Sequence, residues 1–132
     1  MARNCANQGR LGEALKWCEK AIAADKMNAL HYYLSATILQ ELGQHDIAIE
    51  PLMRALYLDP DFVLAHFALA NLHQLQGRYR DAQRYFGNVL LLLHKRSQDE
   101  ILPDADGLTA GRLVAIVTSV LAGFPHSALI RA

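Results

Sequence analysis

Apolar residues recur along the chain at the three- and four-residue spacing of helices that bury one face. In the first 94 residues this pattern predicts helices over about 2–8, 12–25, 29–42, 46–58, 62–76 and 80–94. A later helix over 109–123 is predicted from the apolar stripe of Leu113, Ile116, Val117, Val120 and Leu121. Asn28, Asp61 and Thr109 are suited to cap helix N-termini, and Pro60 follows a predicted helix end.

A 34-residue repeat organises these helices. Glycine recurs at Gly9, Gly43 and Gly77, and small or modest apolar residues recur in register at Ala14, Ala48, Ala82 and at Ala21, Ala55, Val89. Glycine permits the left-handed backbone that ends the first helix of each pair, and alanines let paired helices approach closely. We expect larger side chains to fill the core around them: Trp17, Leu39, Leu52, Leu69 and Phe86.

The predicted fold is therefore all-α, a right-handed helical-hairpin solenoid of about three helix pairs plus a C-terminal capping helix. Residues 1–94 form three repeats, of which the first is truncated, followed by an acidic linker over 95–108. The capping helix covers 109–123, and residues 124–132 form a flexible tail. Pro51 lies inside a predicted helix, where we expect a modest kink.

The pattern resembles the tetratricopeptide repeat (TPR), a fold that implies protein–protein interaction. The residues that carry the resemblance are Tyr32, Gly43, Ala48, Ala55 and Pro60 in the second repeat, and Gly77, Tyr79, Ala82 and Phe86 in the third. The chain departs from it at Lys26 and His94, where proline is common, and at Val89, where alanine is common.

A narrower resemblance covers roughly residues 5–122. The runs ALYLDPDFVLAHFALANLHQLQG, YFGNVLLLL and DEILPDADGLTAGRLVAIV look like the C-terminal repeat region of CheR-type chemotaxis methyltransferases. This resemblance implies a regulatory or targeting region of a chemoreceptor glutamate methyltransferase, whose S-adenosylmethionine-dependent catalytic domain is absent here. The alternative is a generic TPR adaptor or co-chaperone-like scaffold.

Composition narrows the class of partner. Lys plus Arg equals Asp plus Glu, at 13 each, so the chain lacks the basic excess typical of nucleic-acid binding. No apolar run approaches the roughly 20 residues that span a bilayer, and the N-terminus lacks a secretory pattern. We therefore expect a cytoplasmic protein that binds neither nucleic acid nor membrane.

No catalytic, cofactor or metal site is predicted in this fragment. The chain has no G-x-G loop of the kind that approaches S-adenosylmethionine, so that cofactor is implied only for the parent protein. His66 and His73, seven residues apart on one helix, are separated by about 10 Å, too far to share one ion. Cys5 and Cys18 are expected to be reduced, mostly buried and close together on the paired helices of the first repeat.

A partner-binding groove is the remaining candidate site. The first helix of each pair lines the concave side of such a stack, and its predicted groove residues are Tyr33, Thr37, Gln40, Phe67, Asn71 and Gln74, with Leu30, Glu41 and Leu64 also directed outward. The alternative is that Tyr33 and Phe67 pack on each other and on the capping helix.

The predicted ligand of this groove is a peptide or helix from a chemotaxis signalling protein or from the parent's own catalytic domain. Neither Ala29–Gln40 nor Phe62–Gln76 contains Lys or Arg, which argues against capture of a C-terminal carboxylate. The truncated first helix is short enough to fray and expose an apolar face, so a homodimer through the N-terminal end is also expected.

Overall fold

The computed structural model describes residues 2–103, 105 and 107–124, with side chains from residue 9 onward. It contains six helices: α1 (Ala2–Ala24), α2 (Ala29–Glu41), α3 (His45–Leu58), α4 (Val63–Leu75), α5 (Tyr79–His94) and α6 (Ala110–Ala122). No strand occurs in these residues beyond one isolated antiparallel bridge between Ile101 and Thr109. The all-α prediction is confirmed. The chain divides into two compact units, Met1–Ala65 and His66–Ala132, which are described separately.

The first repeat differs from the prediction, because α1 is one continuous helix and the turn expected at Gly9 is absent. Gly43 and Gly77 adopt positive φ and end helices, whereas Gly9 stays helical. A glycine inside a helix costs only about 1 kcal/mol relative to alanine. The helix can therefore continue through Gly9 at a small cost.

The continuous helix also overturns two side-chain predictions. Trp17 was expected in the core, yet it is 61% exposed. Cys18 is a buried free thiol, as expected, but Cys5 is on the same helix, thirteen residues away or about 20 Å along the axis. The two residues are therefore not neighbours on paired helices. The side chain of Cys5 lies outside the described residues.

The hairpin of α2 and α3 dominates the first unit. The Asn28 side chain accepts a hydrogen bond from the Leu30 N–H at 3.0 Å, which confirms it as an N-cap. The helix ends at Glu41, and the chain turns at Gly43, where φ is +80° and the Gln44 N–H donates to the Leu39 carbonyl at 2.9 Å. Alanines then allow close contact of the two helices: Ala36, Ala48 and Ala55 are completely buried. The second helix continues through Pro51.

The second unit repeats this design. Gly77 has a φ of +76°, and the Arg78 N–H donates to the His73 carbonyl at 2.8 Å. Its largest fully buried side chains are Leu69, Leu72, Phe86, Val89, Leu113 and Val117. The α4 helix begins at Val63, so Asp61 lies too far upstream to be its N-cap and that prediction is wrong.

The helix predicted after the linker is α6, which packs against α5. Thr109 caps it by accepting a hydrogen bond from the Arg112 N–H at 3.2 Å. The segment before it is more ordered than an exposed linker: the Leu102 N–H donates to the Leu108 carbonyl at 2.8 Å, and Leu102 is buried. Its carboxylates at Asp104 and Asp106 lie outside the described residues.

The predicted flexible tail is wrong at its first residue. Phe124 is buried, with its ring 5.3 Å from Tyr79 and 5.9 Å from Phe86. Residues 125–132 lie outside the described part of the chain. Within that described part, none of the helices combines the length and apolar character needed to cross a membrane.

Candidate functional site

Three of the six predicted groove residues lie on α2 in the first unit. Tyr33, Thr37 and Gln40 are all partly exposed. The Tyr33 ring is tilted against Phe62, with centroids 5.1 Å apart, so this aromatic is fixed by local packing and presents only part of its surface. The Thr37 hydroxyl donates to the Tyr33 carbonyl at 3.0 Å, which leaves its oxygen as an acceptor for an incoming group.

The other three lie on α4 in the second unit. Phe67, Asn71 and Gln74 are partly exposed. The Phe67 ring meets Phe86 edge-on at 6.0 Å, which anchors it to a fully buried side chain. Each aromatic therefore packs on a ring of its own unit, Tyr33 on Phe62 and Phe67 on Phe86. These are not the partners that the alternative named, so that alternative stays a prediction.

The amides provide the polar part of each face. Among the described residues, the side chains of Gln40, Asn71 and Gln74 make no hydrogen bond. An amide that has no intramolecular partner can bond a peptide backbone, since it carries both a donor and an acceptor. The α2 face therefore offers an anchored aromatic ring and one uncommitted amide, and the α4 face an anchored ring and two uncommitted amides.

Sequence reasoning missed two members of these faces and misplaced one. Leu34 lies four residues after Leu30 and three before Thr37, on the same partly exposed side of α2. Leu75 is 69% exposed and follows Asn71 by one turn. The 34-residue register places Leu75 at the position equivalent to Glu41, which was predicted to point outward. That register was therefore the signal that could have identified Leu75. Leu64, predicted to point outward, is buried.

Charge is sparse on both faces. Neither α2 nor α4 contains Lys or Arg, and Glu41 is the only acidic residue of the two helices. Two histidines of α4 are buried instead of facing solvent: the His73 ring stacks on Tyr85 at 5.4 Å, and the His66 ring lies 6.0 Å from the same tyrosine. Burial lowers the pKa of His73, so its imidazole is neutral at physiological pH.

Among the described residues, neither the Cys18 thiol nor the acidic and histidine side chains form a second site. Burial, and then the charge of Glu19, raises the pKa of the Cys18 thiol, which suppresses the nucleophilic thiolate. Among the residues that the structure describes, no three His, Cys, Asp or Glu side chains cluster in a way that could hold a metal ion.

Comparison with known families identifies the class of repeat. The family model described as anaphase-promoting complex, cyclosome, subunit 3 matches residues 7–89, which is more than half of the chain. The chain belongs to this family. Together with the hairpin geometry and the solved structures below, the match makes it a TPR-type repeat domain.

A curated relative is the tetratricopeptide repeat and J domain-containing co-chaperone DNJ1 of Fusarium oxysporum, 34% identical over 86 residues. The alignment covers 65% of this chain but 16% of the relative, so the chain spans less than a fifth of the length of the curated relatives it matches.

Two solved structures show the same fold at lower identity. The type III secretion translocator chaperone SycD of Yersinia enterocolitica matches with a TM-score of 0.73 and 18% identity, covering 93% of this chain and 84% of SycD. The second TPR of Spaghetti (RPAP3), bound to the HSP90 peptide SRMEEVD, matches with a TM-score of 0.61 and 24% identity, covering 68% of this chain and 83% of that one.

Proposed function

We propose that this chain is a non-catalytic adaptor module that binds segments of other proteins along the partly exposed faces of α2 and α4. The observation that supports it most is the repetition of one chemical pattern at the same register. Tyr33 and Phe67 supply anchored rings, Thr37 and Asn71 a small polar group, and Gln40 and Gln74 an uncommitted amide. Such a face suits a peptide or helix that needs an apolar contact and backbone hydrogen bonds.

The comparisons favour an adaptor or co-chaperone-like role. The DNJ1 relative is named as a TPR co-chaperone, and the RPAP3 repeat was solved with a bound peptide. We extend peptide binding to this chain, because the faces of α2 and α4 carry the groups that such binding requires. A cytoplasmic location is part of the same proposal.

The charge of the faces specifies the kind of segment. The SRMEEVD peptide carries three acidic side chains, whereas α2 and α4 of this chain contain no Lys or Arg to pair with them. We therefore expect the natural segment to be neutral or basic and its affinity to change little with salt concentration.

A second candidate is the regulatory or targeting region of a CheR-type methyltransferase. It rests on the segment DEILPDADGLTAGRLVAIV, which a generic repeat does not require. Neither the matched family nor the relatives named above is a methyltransferase, so this candidate ranks below the adaptor. This candidate is excluded if the parent protein does not transfer methyl groups from S-adenosylmethionine to glutamate.

The experiment is a peptide-array screen followed by fluorescence polarisation at two salt concentrations. Tyr33→Ala and Phe67→Ala are made singly and together, and Leu91→Ala on α5, which is 71% exposed, serves as the matched control. We expect the double variant to lose about tenfold or more in affinity, since buried aromatic anchors often contribute about 2 kcal/mol. A folded double variant that binds every selected peptide as the wild type does would exclude these faces.

A further inference from the structure

The exposed side of α1 is an unpaired packing surface. In the 34-residue register, Ala14 corresponds to Ala48 and Ala82, and both of the latter are completely buried. Ala14 itself is only partly buried, because no helix of the first repeat folds back over it. The same difference separates partly buried Ala21 from fully buried Ala55.

Trp17 lies at the centre of this surface. Its register equivalent is Tyr85, which is 8% exposed and stacks on His73, whereas Trp17 is 61% exposed. One edge of the indole contacts the ring of His31 at 6.3 Å, which fixes its position. A large, positioned and solvent-exposed tryptophan is the type of side chain most often found at the centre of a protein interface.

The spacing around Trp17 is that of a helix–helix seam. The residues along it occur at alternating intervals of four and three: Arg10, Ala14, Trp17, Ala21 and Ala24. The alanines allow close approach on both sides of Trp17, which provides one large contact at the centre, and Arg10 lies at one end. Helices with this spacing pack side by side at about 8–10 Å.

Charges flank the seam in a self-complementary order. Glu13 and Lys20 each precede a seam alanine by one residue, so they occupy the same flanking row. Both are exposed, and within the part of the chain that the structure describes neither forms an ion pair. If a second α1 runs antiparallel with its Trp17 opposite the first, Glu13 of each copy meets Lys20 of the other.

We propose that α1 is the interface of an antiparallel, two-fold symmetric dimer of this chain, centred on Trp17 and oriented by two Glu13–Lys20 pairs. A parallel arrangement places Glu13 opposite Cys18, which is buried and uncharged, and Lys20 opposite Asp25, which lies beyond the end of α1 and already accepts a hydrogen bond from a backbone N–H. Only the antiparallel arrangement gives both flanking charges an oppositely charged partner on α1. The interface lies outside the α2 and α4 faces and does not depend on the proposed adaptor function. In a two-fold dimer both copies use the same patch, so one self-complementary surface suffices.

Sedimentation velocity over a range of concentrations tests the dimer directly. We expect the wild type to move from monomer to dimer, with the emission of Trp17, the single tryptophan, shifting to shorter wavelength as its ring leaves water. Trp17→Ala should stay monomeric, whereas the control Leu91→Ala should dimerise like the wild type. A wild type that stays monomeric at every concentration overturns the proposal.

Charge reversal tests the orientation. Glu13→Lys and Lys20→Glu each place like charges opposite one another, so each variant alone should dimerise at least tenfold more weakly. An equimolar mixture of the two should form a heterodimer, since every Lys then meets a Glu, and the double variant E13K/K20E should regain the homodimer.

Circular dichroism verifies that all the variants remain helical, which is expected because both positions are exposed on α1. If single reversals dimerise normally, or if their mixture fails to associate, the antiparallel Glu13–Lys20 arrangement is wrong. Binding of the selected peptides by Trp17→Ala separates this result from the adaptor function.

Discussion

The first repeat and the third carry the same small-residue columns but fold differently. In the third, the helices around Gly77 form a hairpin, and Ala82 and Val89 are completely buried. In the first, α1 passes straight through Gly9, and the corresponding Ala14 and Ala21 remain partly exposed. The repeat pattern therefore indicates which residues are suited to pack between helices. Whether such a residue is buried depends on whether a partner helix packs over it.

The same contrast separates structural from functional aromatics. Tyr85 and Trp17 occupy one register position, yet Tyr85 is part of the core and Trp17 is available to another molecule. An apolar side chain that is part of the core in a closed hairpin is left exposed where no helix packs over it. The proposed dimer uses this surface, and the following substitutions compare the two regions at matched positions.

The largest difference is expected from truncating the two aromatics. Tyr85→Ala removes a nearly buried ring and should lower the free energy of unfolding by about 3 kcal/mol or more. Trp17→Ala should cost below about 1 kcal/mol in the monomer, because surface substitutions rarely cost more. Urea titration at low protein concentration, followed by circular dichroism, measures both. Equal losses would mean that Trp17 is packed in solution and that α1 folds back at Gly9.

Enlarging the alanine column should give a smaller but still clear contrast. Ala82→Leu inserts three carbons into a fully buried position and should cost about 1–3 kcal/mol through overpacking. Ala14→Leu, at the equivalent but partly exposed position, should change the monomer by less than about 0.5 kcal/mol. The same urea titrations decide it. A severe loss at Ala14 would show that its surface is already covered within one chain.

The two glycines should respond with opposite signs. Gly77→Ala places a Cβ on a left-handed residue, at a cost of about 1–2 kcal/mol, although no atom lies within 4 Å of that Cβ. Gly9→Ala lies inside α1 and should stabilise the chain by about 0.5–1 kcal/mol, since alanine favours helix. Melting temperatures report both directions. Destabilisation by Gly9→Ala would indicate that Gly9 forms a turn in solution.

The helices after residue 28 were predictable because their boundaries are set locally. Helices were predicted over residues 29–42 and 80–94, and the structure has them over Ala29–Glu41 and Tyr79–His94. Asn28 supplies a cap and Gly43 a positive-φ stop, and neither depends on distant parts of the chain. The course of the chain at Gly9 was not predictable in this way, because glycine is compatible with both a turn and a helix interior, and α1 continues through it.

The candidate site was predictable only in part. The repeat register predicted that Tyr33 and Phe67 lie on outward faces of their helices, and both are partly exposed in the structure. The same register predicted that Leu64 points outward like its equivalent Leu30, but Leu64 is buried whereas Leu30 is partly exposed. Burial at a given register depends on which neighbours are large, and the periodicity of one helix does not contain that information. Phe124, assigned to a flexible tail, is buried against Tyr79 and Phe86 for the same reason.

The smallest expected effect concerns pH and a buried register position at which an apolar residue of the second repeat is replaced by a titratable residue in the third. The second repeat has Leu39 where the third has His73, and both are buried. His73 stacks on Tyr85, with Asp81, Arg78 and Arg84 of the same unit acting on it electrostatically. Burial lowers the pKa of His73; Asp81 opposes this shift, whereas Arg78 and Arg84 add to it.

A histidine with a lowered folded-state pKa is protonated more readily in the unfolded chain, so its effect on stability has a definite sign. Its contribution is fully present above the ordinary histidine pKa of about 6.5 and is lost as the pH falls from there to the lowered folded pKa. We expect urea midpoints of the wild type to fall between pH 8 and pH 5, and those of His73→Leu to fall less. His94→Leu, at an exposed histidine, should retain the wild-type slope. If the stability of His73→Leu falls with acid as much as that of the wild type, the neutral stacked imidazole is not the source of the acid sensitivity. The buried histidine would then not make the third repeat more acid-sensitive than the second.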